Sequence, residues 1–388
     1  MGRISRQGGQ GALIASYLPR VLAGVGVAVL TAAAVLSPSD ARAAASQDWS
    51  PFVLVSGLIL VGLVAEDDGL FAAAGKQLAR VSTNGGALFL GATVMIGTVT
   101  AVLNLDTSVA FLTPVLVYTA RNRGGGEAPL LYGCLLLSNA GSLFLPGSNL
   151  TNLIVLGHVR LSGAAFLSHM WAPALAALIV TALVVAGFEH RALGTTTGEL
   201  PAPGRATLGL GLLSIAVVTL LVLTLRSPAL PVAVVGVVAI GVRVVSGREQ
   251  MRHVSEVLGI PLLVGLFGVA VALGTLGRVW SGPSTLLSHL DLWGTAGLAA
   301  ATSVLVNNLP AASLLAARTP DHPFALLIGL NLGPNLFVSG SLAWLLWLRS
   351  ARVAGARPSI ARAARLGVIA VPMSMVAAVG VLIVTGGH

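Results

Sequence analysis

Charge is what this chain lacks most. Only 9% of its residues are charged and 55% are hydrophobic, where an ordinary soluble domain carries about 25% charged residues. That balance excludes a soluble domain and leaves a multi-spanning membrane protein. Cysteine is nearly absent as well. The single Cys134 excludes an internal disulfide and a multi-cysteine metal or arsenic cage, and its apolar surroundings predict a small packed residue. Aromatics make up 5%. The net charge of +9 is scattered over short loops, with no basic stripe and interleaved aromatics, so nucleic acid is excluded as a partner. The seven histidines (His158, His169, His190, His253, His289, His322 and His388) show no metal-ligand spacing. No phosphate-binding loop, nucleophile elbow or metalloprotease helix occurs, and Gly124-Gly125-Gly126 reads as flexible loop. No cofactor, metal or catalytic residue is expected. An enzyme would need a nucleophile or paired acids at depth, so the chain is not expected to be one.

What is present is a set of apolar windows at about 21–37, 51–66, 85–120, 129–156, 164–188, 206–225, 229–246, 257–278, 294–320, 323–348 and 365–386. The fold class expected is an all-α polytopic membrane protein. Two windows read as re-entrant hairpins, because 85–120 contains Asn104-Leu105-Asp106 and Pro114, and 294–320 contains Asn307-Asn308-Leu309-Pro310. The other nine read as crossings. Two of these are interrupted by Gly, Pro, Ser and Asn: NAGSLFLPGSNLTNLIVL from Asn139 and NLGPNLFVSGSLAWLLWL from Asn331. Hydrocarbon holds no water for freed backbone groups, so a broken helix survives there only beside protein or a wet cavity. Paired broken segments in two halves point to a transporter's binding site.

Basic residues give the orientation. With the N-terminus cytoplasmic and each hairpin returning to its own side, all but five of the 22 Lys and Arg residues fall inside. The exceptions are Arg42, Arg160, Arg226, Arg278 and Arg318. The positive-inside rule demands such a bias, and making either hairpin a crossing would destroy it. The C-terminus then lies outside, in a bacterial-type inner or plasma membrane. The first window, with Arg3, Arg6 and the later Ala41-Arg42-Ala43, also resembles a cleavable secretory signal; a retained helix is expected.

The order hairpin, broken span, crossing occurs twice. Residues 1–50 read as an N-terminal helix and outer loop, 51–191 as repeat one, 192–257 as linker helices with a polar connector at about 192–205, and 258–388 as repeat two. The first hairpin opens inward and the second outward, so the repeats are expected to be inverted.

Most acids fall in expected loops: Glu66, Asp67, Asp68, Glu127, Glu189, Glu249, Glu256 and Asp321. Asp106 instead sits at a hairpin tip, at mid-membrane depth. An acid there costs about 2.5–3.5 kcal/mol and is by default a functional hypothesis, as proton carrier or cation ligand. A helix cap is the plainer role open to it. Around it the expected substrate and ion groups are Asn104 and Thr107 on the first hairpin, and Asn307 and Asn308 on the second. Ser148, Asn149, Thr151 and Asn152 on the first broken span join them, with Asn331, Asn335, Ser339 and Ser341 on the second. Amides, hydroxyls and one acid suit a small polar solute. No buried base clamps it; Arg318 reads as an interfacial anchor, and Trp344 and Trp347 as interface-belt residues.

LNLDTSVAFLTPV (from Leu103) resembles the first-hairpin signature of arsenite permeases. GSNLTN (Gly147–Asn152) is similar to their first broken helix, VNNLP (Val306–Pro310) to their second hairpin and NLGPNLFVSGSLAWLLW (Asn331–Trp347) to their second broken helix. LVGLVAEDDGLF (Leu60–Phe71) resembles an early span and its interfacial segment. The chain thus resembles the wider ion-transporter superfamily, with its dicarboxylate/sodium symporters, citrate carriers and sodium/proton antiporters. The tips are not the Ser-Asn-Thr of the dicarboxylate branch, and Leu105 stands where arsenite permeases carry Asn. The resemblance implies inverted repeats, elevator-type alternating access, frequent homodimers and coupling to protons or sodium. The expected function is secondary transport, as proton-coupled export of arsenite- or antimonite-like oxyacids, with Asp106 the coupling group. The alternative is sodium-coupled uptake of a dicarboxylate, sulfate or similar anion.

Overall fold

A computed structural model describes residues 4–159, 161–194, 209–247 and 249–386, without the side chains of 4–18 and of His158. Arg3, Arg160, Arg205, Arg248 and most of the polar connector expected at 192–205 lie outside the described residues.

Among the described residues the chain is helical, without strands. The first half comprises α1 (Ile4–Leu36), α2 (Pro38–Asp67), α3 (Leu70–Val81), α4 (Gly85–Val102), α5 (Leu105–Asn122), α6 (Ala128–Gly141), α7 (Leu150–Val155) and α8 (Gly163–Phe188). Then come α9 (Leu210–Thr224), α10 (Ala229–Val245), α11 (Met251–Leu258), α12 (Ile260–Val279) and α13 (Gly282–Ser288). The last are α14 (Leu292–Val306), α15 (Asn308–Leu315), α16 (Pro323–Leu332), α17 (Ala343–Val353) and α18 (Ile360–Val384). Among the described residues six helical stretches are long and apolar enough to cross a membrane, α11 and α12 counting as one. Large apolar side chains such as Val94, Leu183, Val237 and Val376 face outward, as a lipid-facing surface requires.

Each expected interruption is present. The 85–120 window breaks at Leu103 and Asn104, between α4 and α5, and the 294–320 window at Asn307, between α14 and α15. A 3₁₀ turn, Pro146–Ser148, separates α6 from α7, and another, Gly333–Leu336, follows α16. The first halves of these broken segments form the middle of the bundle: Pro129 to Gly141 and Phe324 to Leu332 are buried throughout. A helix apolar on all sides belongs in such an interior.

One boundary differs from the reading at 51. Helix α2 begins at Pro38, whose fixed φ and missing N–H suit a first helical turn. Residues 38–50 are therefore helix and not outer loop, and this brings Asp48 into a candidate span.

Helix α2 packs on α9, α10 and α12. Its approach to α10 depends on paired glycines. A Cβ on Gly57 would lie 2.7 Å from the Ala233 Cα, and one on Gly236 would lie 2.6 Å from the Gly57 carbonyl oxygen. Small residues at such crossings let backbones meet. Because the obstacle is backbone, Gly57→Val is expected to cost about 1–3 kcal/mol by overpacking, read as a lower midpoint of denaturation in detergent.

Trp344 and Trp347 correct the interface-belt reading. Both are fully buried, and their rings meet edge to face at 5.9 Å. Trp344 Nε1–H donates to the Pro334 carbonyl and Trp347 Nε1–H to the Leu131 carbonyl, each at 2.8 Å. They hold α17 to the break before it and to α6. Cys134 is buried as expected and accepts from the Thr113 hydroxyl at 3.4 Å. At one end of α2, the buried Asp68 accepts from the Arg243 guanidinium of α10 and from the Gly211 amide (2.7 Å) at the start of α9. Asp67 adds a contact to Arg243 at 3.4 Å.

Candidate functional site

The first interruption leaves two freed carbonyls in the bundle interior, and nearby side chains satisfy them. Asn152 Nδ2 donates to the Ser142 carbonyl at 2.7 Å and to the Leu145 carbonyl at 3.1 Å. The Ser148 hydroxyl donates to the same two oxygens, at 2.5 Å to Ser142. Asn149 caps α7, its Oδ1 accepting from the Thr151 amide (3.2 Å) and hydroxyl (2.9 Å). Ser148, Asn149, Thr151 and Asn152 thus support the unwound backbone.

Asn331, on the other broken segment, reaches into this cluster. Its Oδ1 accepts from Ser142 Oγ (2.6 Å) and Asn149 Nδ2 (2.7 Å). Its Nδ2 donates to Asn152 Oδ1 and to the Leu327 carbonyl, both at 2.8 Å. That uses the full capacity of one amide. One turn on, Asn335 Oδ1 accepts from Asn139 Nδ2 (2.9 Å), and its Nδ2 donates to the Leu136 carbonyl (3.1 Å). The two broken segments are therefore joined through buried amides nearly 200 residues apart in sequence.

The tip between α4 and α5 is different. Asn104 is the cap of α5, accepting from the Thr107 amide at 2.7 Å. Asp106 does not take that role. Among the described residues it has no hydrogen-bond or ion-pair partner. Beside it Asn104 Nδ2 and Thr107 Oγ1 are buried without partners, as is Thr100 Oγ1 one turn back on α4. Buried polar groups are nearly always paired, and each exception needs a reason. Helix α2 closes on this tip at Gly62, where a Cβ would come within 2.4 Å of the Thr107 methyl.

The tip between α14 and α15 is spent on its neighbour. The Asn308 amide donates to the Gly340 carbonyl at 2.8 Å. Asn307 Nδ2 donates to the Ser339 carbonyl (3.2 Å), and Ser339 Oγ donates to the Val304 carbonyl (2.7 Å). Asn307 has φ +78°, the one left-handed non-glycine residue among those described, a conformation Asn tolerates better than most. Ser341 Oγ is buried and unpaired. Among the described residues no hydrogen bond links the Asp106 tip to Asn307 or Asn308. The broken segments are hydrogen-bonded to each other across the halves, and the two tips are not.

The sequence reading passed over Asp48, a buried acid within α2. Asp48 is 1% exposed and accepts from Ser313 Oγ of α15 at 3.2 Å. Its neighbour Gln47 donates to the Ile154 and Ala316 carbonyls, both at 3.0 Å, and accepts from Arg278. The signal available was Pro38 followed by an alanine-rich stretch, which carries the helix back past Asp48.

Residues 11–348 match the family model described as Citrate transporter. The chain is 26% identical over 335 residues to an arsenical pump membrane protein of Escherichia coli, covering 77% of this chain and 78% of that protein. It is 27% identical over 316 residues to the inner membrane protein YbiR of E. coli K12, covering 79% and 81%. The crystal structure of the YdaH transporter from Alcanivorax borkumensis superposes with a TM-score of 0.57 at 15% identity, covering 95% of this chain and 98% of that one. At that identity the likeness concerns the fold.

Proposed function

The chain belongs to the citrate transporter family, and on that premise we propose that this multi-pass membrane transporter is a secondary one. It exports a small neutral or weakly acidic oxyacid, of the arsenite and antimonite type, with inward movement of protons. Its N-terminus is cytoplasmic, its C-terminus is outside, and its two halves are inverted repeats with re-entrant segments at 85–120 and 294–320. The observation that carries this reading is the α4–α5 tip, where an acid without a partner stands beside the unpaired Asn104 amide and Thr107 hydroxyl. An acid so placed exchanges a proton without breaking an ion pair, and the two neighbours offer donors to a solute oxygen. The relatives named arsenical pump membrane proteins support the choice of oxyacid.

Asp106→Asn tests it. Nothing among the described residues bonds to the carboxylate, so the variant is expected to fold normally and to lose proton-driven flux. Everted vesicles bearing the unaltered chain should accumulate arsenite under an imposed pH gradient, while the variant stays at background. Normal accumulation by the variant removes Asp106 as the coupling group. The alternative, sodium-coupled uptake of a dicarboxylate, sulfate or similar anion, is favoured by a separate feature: a cavity whose lining includes two arginines and no acid. A sodium-driven signal for such an anion in right-side-out vesicles would select it.

A further inference from the structure

A cavity of about 910 Å³ lies away from both tips. Its walls are the first half of α2, the end of α7 and the chain after it, the α9–α10 connection, and the end of α12. None of the thirteen polar residues singled out from the sequence lines it. At its inner end it reaches Pro146, at the interruption between α6 and α7.

Its charges are of one sign. Arg226 and Arg278 line it, with Ser46, Gln47 and Ser50, and no Asp or Glu does. Arg278 is held in place, donating to the Gly274 carbonyl at 2.9 Å and to Gln47 Oε1. Gln47 is itself fixed by its two backbone acceptors at 3.0 Å. Arg226 is exposed at the α9–α10 turn, and no described residue engages it. Arg318, donating to the Arg278 carbonyl at 2.9 Å, brings a third guanidinium close by. Two acids lie near and act electrostatically on Arg278: Asp48, buried behind the wall and accepting from Ser313, and Asp40, which accepts from the Ser37 hydroxyl at 2.6 Å. Neither lines the cavity.

We infer that this cavity is an anion-binding vestibule, a site for a small multivalent oxyanion such as a sulfate or a carboxylate, separate from the Asp106 tip. A concave, low-dielectric wall bearing one sign of charge focuses the field and concentrates counter-ions by tenfold or more. Guanidinium groups match oxyanion geometry, and the serines and Gln47 add hydrogen-bonding groups.

Cysteine labelling tests the inference without reference to transport. Cys134 is buried, so the unaltered chain is the blank, and Ser50→Cys places one thiol on the cavity wall. In detergent solution, where both faces are open, an anionic methanethiosulfonate should label it roughly tenfold faster than a trimethylammonium one once each rate is divided by that reagent's rate with a small free thiol. Arg226→Gln and Arg278→Gln should each narrow that gap; Arg226, having no partner to lose, serves if the Arg278 variant fails to fold. Sulfate or citrate should slow labelling more than chloride at equal ionic strength. Equal normalised rates for the two reagents, a gap that survives the arginine variants, protection by chloride as strong as by sulfate and citrate, or no reaction with either reagent would each overturn the vestibule. The Asp106→Asn flux result is independent of all four, so either reading can fail alone.

Discussion

Asn331→Leu is expected to destabilise the protein by about 2–6 kcal/mol. The substitution keeps the branched outline of the side chain and removes both its donor and its acceptor. Asn149 Nδ2 and Asn152 Oδ1 then lose the partners that Asn331 supplies at 2.7 and 2.8 Å, while Ser142 keeps the Asn139 carbonyl. Each buried polar group left unsatisfied costs about 1–3 kcal/mol, and at the centre of a bundle no water replaces the lost partner. The loss is measurable as a lower denaturation midpoint of the purified protein. Asn335→Leu is the comparison. It orphans less, because Asn139 Nδ2 retains the Leu135 carbonyl at 3.1 Å, so its effect should be about half. Equal effects would show that lost packing, not the lost amide, governs the result.

Arg243→Gln is expected to cost about 3–5 kcal/mol, the usual penalty for removing one member of a buried ion pair. Side-chain exposures of 6% for Arg243 and 2% for Asp68 leave the carboxylate no access to bulk water. The Gly211 amide remains bound to it. Pairing Arg243→Gln with Asp68→Asn should recover part of the loss, since the double variant buries no charge. A double variant as unstable as the sum of the two single ones would mean that the groups act separately. Helices α9 and α10 both meet the end of α2 at this cluster, so amide hydrogen exchange at the start of α9 should accelerate in Arg243→Gln before the rest of the bundle opens.

The sequence made the interruptions legible because their chemistry is local. Pro146, Gly147 and Ser148, or Gly333, Pro334 and Asn335, cannot continue an α-helix unaided inside an apolar run, and the structure breaks there. Asp106 was legible for the same reason, an acid within a span. Its freedom from partners was not, since Asn104 and Asp106 are both competent caps and only the geometry shows that Asn104 takes the position. The start of α2 was obscured because Arg42 and Asp48 depress the hydropathy of a stretch that alanine nonetheless keeps helical. Trp344 and Trp347 were misplaced because belt and core tryptophans have the same local pattern. What differs is the acceptor for the indole N–H, and for Trp347 that acceptor is Leu131, 216 residues away. The match of Asn331 to Asn149 and Asn152 belongs to the same class of long-range fact.

That match also bears on how the protein is made. The amide that completes the first broken segment belongs to residue 331, so at the moment α7 leaves the ribosome its cap has no counterpart. Until the second half is synthesised, the Asn149 and Asn152 side chains must be met by water or by the insertion machinery. With the chain arrested while Asn331 is still inside the ribosome, the first broken segment should therefore crosslink to the translocon, and with the arrest moved far enough for Asn331 to reach the membrane it should crosslink to lipid instead.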